Sequence, residues 1–135
     1  MTLADSVTEK VYALIAVFEG ERLTAYQDPY GVWTIGMGHT GPDVHAGLTI
    51  SSAQSLENFY ADIAPLRRQA DLITPILGPN VSEWQTAALI TFGYNCGLAA
   101  MTQSGRMTDY IHEHGHVLPG LVARRRLEAL LYSNV

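Results

Sequence analysis

Glu19, Asp28 and Thr34 are the residues of this chain best suited by type and spacing to do chemistry, in the stretch FEGERLTAYQDPYGVWTIGMGHTG. Val7, Val11, Leu14 and Phe18 recur at helical spacing and Gly20 is a left-handed stop, so Glu19 is predicted in the last turn of a helix. A carboxylate is out of place there, because the negative end of the helix dipole disfavours it and Lys or Arg is the ordinary choice. That setting, beside the apolar Phe18, suits the work of a general acid. Asp28 follows across a chain reversal, so helix end and sheet can face each other over a groove. Two carboxylates in unlike surroundings, one apolar and one polar, are the equipment for splitting a glycosidic bond. Thr34, on the strand after the turn, is placed to hold a water beside Asp28. Spacing alone leaves a plainer alternative open, in which Glu19 is a solvated helix end and Asp28 only starts an Asp-Pro turn.

The elements that must position these residues can be read from the pattern. Ser6-Val7-Thr8-Glu9 has the form of a capping box opening the first helix. From residue 24 to 50, turn signals at Asp28-Pro29-Tyr30-Gly31, Gly36, Gly38 and Gly41 alternate with β-prone pieces such as VWTI, which predicts a hairpin plus a third short strand. Ser51 to Gln54 caps a helix whose buried face is expected to be Leu56, Phe59, Ile63, Leu66 and Ala70, with a bend at Pro65 and a break at Pro75, Gly78 and Pro79. Ser82 to Gln85 opens another helix, running through Ala88 and Phe92 towards Gly97. Met101 to Val117 is polar, with one short helix expected around Met107 to His112. Pro119 starts a last helix that buries Leu121, Val122, Leu130 and Leu131. The fold class is therefore α+β: a single domain over 1–135, with a helix and small antiparallel sheet over about 1–50 beside a mainly helical lobe over about 51–135.

With 135 residues and 47% hydrophobic content, the chain can bury one real core. Its net charge of −5 and lack of a basic block exclude nucleic acid as a natural partner. Cys96 is the single cysteine and is expected to pack as a small hydrophobe. No signal peptide is read at the N-terminus and no run reaches the ~20 apolar residues of a membrane span. The expectation is therefore synthesis in the cytoplasm and no stable membrane insertion, with exit only if a separate pore former releases the protein.

Glu19, eight residues, Asp28, five residues, Thr34 and then IGMGHT resembles the catalytic signature of the phage-type lysozymes, glycoside hydrolase family 24. QTAALITFGYNCG, Gln85 to Gly97, is similar to that family's central helix, and LPGLVARRRLEALLY, Leu118 to Tyr132, to its closing helix. The resemblance implies a cleft between sheet and helical lobe. It also implies hydrolysis of the β-1,4 bond between N-acetylmuramic acid and N-acetylglucosamine in the glycan strands of peptidoglycan, causing lysis. Glu19 would be the general acid, and Asp28 with Thr34 would activate water with inversion. Gly36, Met37, Gly38 and Asn95 would meet the glycan, with Tyr30 as a stacking candidate. The resemblance further implies an ion pair of His39 with Asp62, and a contact of Arg124 or Arg125 with Glu19. It implies no cofactor and no metal, and a monomer is expected. HEHGH, His112 to His116, reads as a helix-end loop, not a functional metal site.

The chain departs from the family in a short 98–118 segment, which bears on the outer sugar subsites, and in its acidity, which weakens long-range attraction to an anionic wall. Two other readings compete. A lytic transglycosylase cleaves the same bond without water, but it needs no Asp28/Thr34 pair. A non-catalytic wall-binding or virion structural module would not need all three motif positions.

Overall fold

The computed structural model describes residues 5–77, 79–98, 101, 112–113 and 116–117. Helix α1 spans Ser6–Glu19, and three strands follow: β1 Arg22–Gln27, β2 Trp33–Gly36 and β3 His39–Thr40. Helices α2, Ser52–Leu77, and α3, Glu83–Cys96, come next, then two short strands, β4 His112–Glu113 and β5 His116–Val117. The chain forms two compact units, Ile15–Ala64 and Met1–Leu14 with Pro65–Val135, and it passes from one to the other inside α1 and inside α2. The last-helix residues, including Arg124 and Arg125, lie outside the described residues.

In the unit of Ile15–Ala64 the sheet has the order β1-β2-β3 and is antiparallel throughout. Tyr26 stands opposite Thr34, and Thr34 opposite Thr40, with a register irregularity between Arg22 and Tyr26. The outer edge of β1 is covered by residues 48–50, through Ala25 N–H to Leu48 O at 2.9 Å and Ile50 N–H to Leu23 O at 2.9 Å. Ile15, Ile35, Met37, Val44, Phe59 and Ile63 are buried here. A fully buried side chain of this size is worth about 1.5–3 kcal/mol, so the short strands are held by their apolar face more than by their length.

Three local expectations need correcting. The N-cap of α1 is Asp5, not Ser6: Asp5 Oδ1 accepts from Thr8 N–H at 2.8 Å, and Glu9 N–H bonds Asp5 O at 3.0 Å. Arg67, and then the Thr8 N–H, hold the Asp5 carboxyl down at about 2, while Ser6 donates its hydroxyl to Glu83. On α2, Leu56 is 36% exposed and Ser55, at 1%, takes the inward place in front of Phe59, Ile63, Leu66 and Ala70. And α2 does not break at Pro75 but continues to Leu77, with Pro65 also inside it. Each proline strips one carbonyl four residues back of its partner, and those residues, Ala61 and Asp71, lie on the exposed side where water satisfies them.

The other starts were legible. Ser51 Oγ accepts from Gln54 N–H at 3.1 Å to cap α2. At α3, Ser82 and Gln85 form a reciprocal capping box, with bonds of 3.1 and 2.7 Å. The short helix expected near Met107 to His112 falls mostly outside the described residues, and His112 itself belongs to β4, with Glu113 opposite His116.

Candidate active site

Glu19 closes α1, and Gly20 follows at φ +65°, its N–H returning to Ala16 O at 3.1 Å. The stop turns the chain into β1 and leaves the Glu19 side chain at the helix end. There it lies on Gly38: a Cβ built on Gly38 would stand 3.2 Å from Glu19 Oε2 and 3.3 Å from its Cδ. The loop between β2 and β3 is thus the floor under the Glu19 carboxyl. Gly36, at the end of β2, serves a different neighbour, since a Cβ there would come within 2.9 Å of Ser55 Oγ. That hydroxyl is buried and has no hydrogen-bond partner among the described residues.

Gly38 also sits at φ +88°, so Gly38→Ala combines backbone strain with a push on the carboxyl. Gly47, at φ +83° with nothing within 4 Å of its built Cβ, supplies the control. Both alanine variants should lower the melting temperature by similar amounts, whereas only Gly38→Ala should cut turnover, by about tenfold or more given the sensitivity of catalysis to small misplacements. Equal turnover in the two would show that the Glu19–Gly38 contact is unimportant.

Asp28 does structural work with one oxygen. Its Oδ1 accepts from Tyr30 N–H at 2.8 Å and from Val32 N–H at 2.9 Å, and the backbone closes the turn through Gly31 N–H to Asp28 O at 3.0 Å and Asp28 N–H to Val32 O at 2.9 Å. Asp at the first turn position, Pro next and Gly at the fourth is the chemistry that such a turn requires. The carboxylate is therefore locked in orientation by backbone donors. Thr34 is buried, 6% exposed, and its hydroxyl donates to Val32 O at 3.0 Å. With its hydrogen spent, the Thr34 oxygen can only accept a further bond.

His39 bonds Asp62 Oδ2 through Nδ1 at 2.7 Å and Asp43 Oδ2 through Nε2 at 2.9 Å. Both partners are carboxylates, so both ring nitrogens donate and the ring is an imidazolium. Burial works to lower its pKa, but the bonds to Asp43 and Asp62 outweigh that and raise it, while the bond from His39 lowers that of Asp43. The Asp62 partner was expected and Asp43 was not; its position four residues on, in a Gly-Pro-Asp turn, was the available signal. For a group with a raised folded pKa, the stability is fully present below the unfolded value and is lost as pH rises through the folded one. His39→Asn should therefore lower the melting temperature most at about pH 5.5, below the ordinary imidazole value of about 6.5, and the gap to wild type should narrow on the alkaline side. A gap that does not change with pH would mean that the charge on His39 contributes nothing.

The remaining expected residues divide. Tyr30 is 38% exposed on the turn. Met37 is 3% exposed, so its side chain belongs to the core, and the expected approach of a glycan to this loop concerns its backbone. Asn95 lies on the last turn of α3, in the other compact unit, where its Oδ1 accepts from the Cys96 thiol at 3.6 Å. No group of three or more His, Cys, Asp or Glu able to hold a metal occurs among the described residues. No helix among them is long and apolar enough to cross a membrane.

Sequence reasoning missed Tyr26. It pairs with Thr34 across the strands, and Arg22 lays its guanidinium over the ring, 4.3 Å from the centroid. Burial, then the charge of Glu19, and less strongly that of Asp28, push its phenol above the ordinary range, with Arg22 opposing. The same phenol thus feels both carboxylates.

Glu19 at a helix end, Asp28 in a turn and Thr34 on a three-stranded antiparallel sheet sit in a lysozyme-like α+β fold. The chain belongs to the Phage lysozyme family, which matches residues 16–128. It is 32% identical to an endolysin of Lactococcus phage c2 over 94% of its own length and 60% of that relative's. It is 35% identical to a SAR-endolysin of Enterobacteria phage PA-2 over 82% of this chain and 74% of that one. A solved endolysin from Escherichia coli O157:H7 phage FAHEc1 superposes with a TM-score of 0.78 at 25% identity, covering 100% of this chain and 98% of that one. The chain spans only about half to three fifths of the length of the first curated relatives it matches.

Proposed function

We propose that this chain is an endolysin-type muramidase that hydrolyses the β-1,4 bond between N-acetylmuramic acid and N-acetylglucosamine in peptidoglycan. The observation that carries the reading is the unequal seating of the two carboxyls. Glu19 rests on Gly38, while Asp28 has Oδ1 pinned by two backbone N–H groups and Oδ2 left to act. In this scheme the Glu19 proton goes to the leaving glycosidic oxygen as the bond to the anomeric carbon breaks. A water, one hydrogen on Asp28 and the other on Thr34 Oγ1, adds its oxygen to that carbon and passes a proton to Asp28. Thr34 fits this role because its own hydrogen is committed to Val32 O. Gly36, through its backbone, and Asn95 are the further candidates for glycan contact, with Tyr30 as the candidate for stacking on a sugar. Family names among the relatives support the cell-wall substrate, and the proposal includes release to the wall by a separate pore-forming protein.

Digestion of purified peptidoglycan tests the reading. Reducing muramic acid ends are expected; 1,6-anhydro ends would make the protein a transglycosylase, and no products would sink the enzymatic reading altogether. Room for a water requires a carboxyl separation of roughly 6.5–9.5 Å and gives inversion, whereas a nucleophilic Asp28 would stand at about 5–5.5 Å. NMR of a fresh digest should show the α anomer first. A β product would remove the water-activating role from Asp28.

A further inference from the structure

Of the groups assigned to the attacking water, Asp28 and Thr34, neither has a hydrogen to donate to the sugar. The carboxylate of Asp28 accepts only, and the Thr34 hydroxyl has given its hydrogen to Val32 O. An N-acetylhexosamine brings acceptors of its own, in its ring oxygen, hydroxyls and acetamide carbonyl, and these call for a donor from the protein. Tyr26 is placed to supply one. It is on β1 two residues before Asp28, it is the direct cross-strand partner of Thr34, and it is half-buried. Cross-strand partners in an antiparallel pair project on the same face, with Cβ atoms about 4.5–5.5 Å apart. Arg22, four residues earlier on β1, lies over one face of the ring at 4.3 Å, spanning the part of the strand where the register is irregular. The tyrosine hydroxyl is hydrogen-bonded to neither Glu19 nor Asp28, although both fields reach it. A phenol with an ordinary pKa of about 10 keeps its proton at neutral pH, so it is a donor there.

We propose that Tyr26 is a further substrate-binding residue of this site: its hydroxyl, held by Arg22 stacked on the ring, donates a hydrogen bond to the N-acetylhexosamine bound across Glu19 and Asp28. The inference rests on the muramidase reading but is tested apart from it. Tyr26→Phe removes the hydroxyl and keeps the ring and its arginine, so the melting temperature should stay within a degree or two of wild type. The kcat/KM on peptidoglycan fragments should fall about five- to tenfold, the size of one lost hydrogen bond. The wild-type to variant ratio should stay flat from about pH 5 to 8, because a phenol with an ordinary pKa near 10 or above does not titrate there.

Binding is read without turnover, by titrating N-acetylglucosamine oligosaccharides into Glu19→Gln protein with and without Tyr26→Phe. The Kd should weaken by a similar factor. Unchanged Kd and unchanged kcat/KM would overturn the inference, and so would a loss of binding that merely tracks a fallen melting temperature. Absence of turnover in the wild type, with the Kd difference intact, would instead sink the muramidase reading and leave Tyr26 as a sugar ligand.

Discussion

Glu19→Gln should abolish wall lysis while the protein melts within a degree or two of wild type. Glutamine has nearly the shape of glutamate, so it can lie on Gly38 as the carboxyl does, where a built Cβ already stands 3.2 to 3.4 Å from the Glu19 side-chain atoms. What it cannot do is deliver a proton to the glycosidic oxygen as that bond breaks. General acid catalysis is worth about 10²–10⁴-fold, or roughly 2.7–5.5 kcal/mol of barrier, and that is the loss expected in kcat. Binding of an oligosaccharide should persist, since the amide still hydrogen-bonds. Glu21 is the natural comparison, an exposed carboxylate two residues on. Glu21→Gln should stay within about twofold of wild type, as ordinary surface substitutions do. Comparable activity in the Glu19→Gln and Glu21→Gln variants would remove the role of acid from Glu19.

What could be read in advance follows a physical line. Glu19 was legible because two local signals agree on it, the helical spacing of Val7, Val11 and Leu14 and the stop at Gly20. The β1–β2 turn was legible because Asp28, Pro29 and Gly31 each meet a separate demand of the same turn. The N-cap of α1 was misread because Asp5 and Ser6 are both good caps, and the choice is reinforced by Arg67, 62 residues away. Leu56 was misplaced because positions 55 and 56 both continue a helical stripe towards Phe59. Burial goes to Ser55, whose small side chain fits under Gly36, and leucine is left outside. Tyr26 was invisible for a related reason. Its setting is defined by Arg22 over its ring and Thr34 across the strands, and strand alternation alone does not distinguish it from any other aromatic on a strand. The glycines have neighbours that the motif alone does not show: a Cβ at Gly36 would meet Ser55, and one at Gly38 would meet Glu19.

Asp28 presents two readings, turn starter and catalytic base, and the structure gives a way to separate them. Its Oδ1 holds Tyr30 N–H and Val32 N–H, a role that any short side-chain carbonyl can fill. Asparagine supplies such a carbonyl, so Asp28→Asn should keep the turn and melt close to wild type. It replaces Oδ2 by an amide NH₂ that cannot take a proton from water. If Asp28 only starts the turn, that exchange costs nothing in turnover; as the base, it costs about 10²–10⁴-fold. Asp28→Ala should lose the same activity and stability besides, because two backbone donors lose their acceptor, each at about 0.5–1.5 kcal/mol where water is slow to replace it. A drop of several degrees is therefore expected for alanine and almost none for asparagine, with equal inactivity in both. Activity retained by asparagine and lost by alanine would return Asp28 to the turn alone, and the water would need another base.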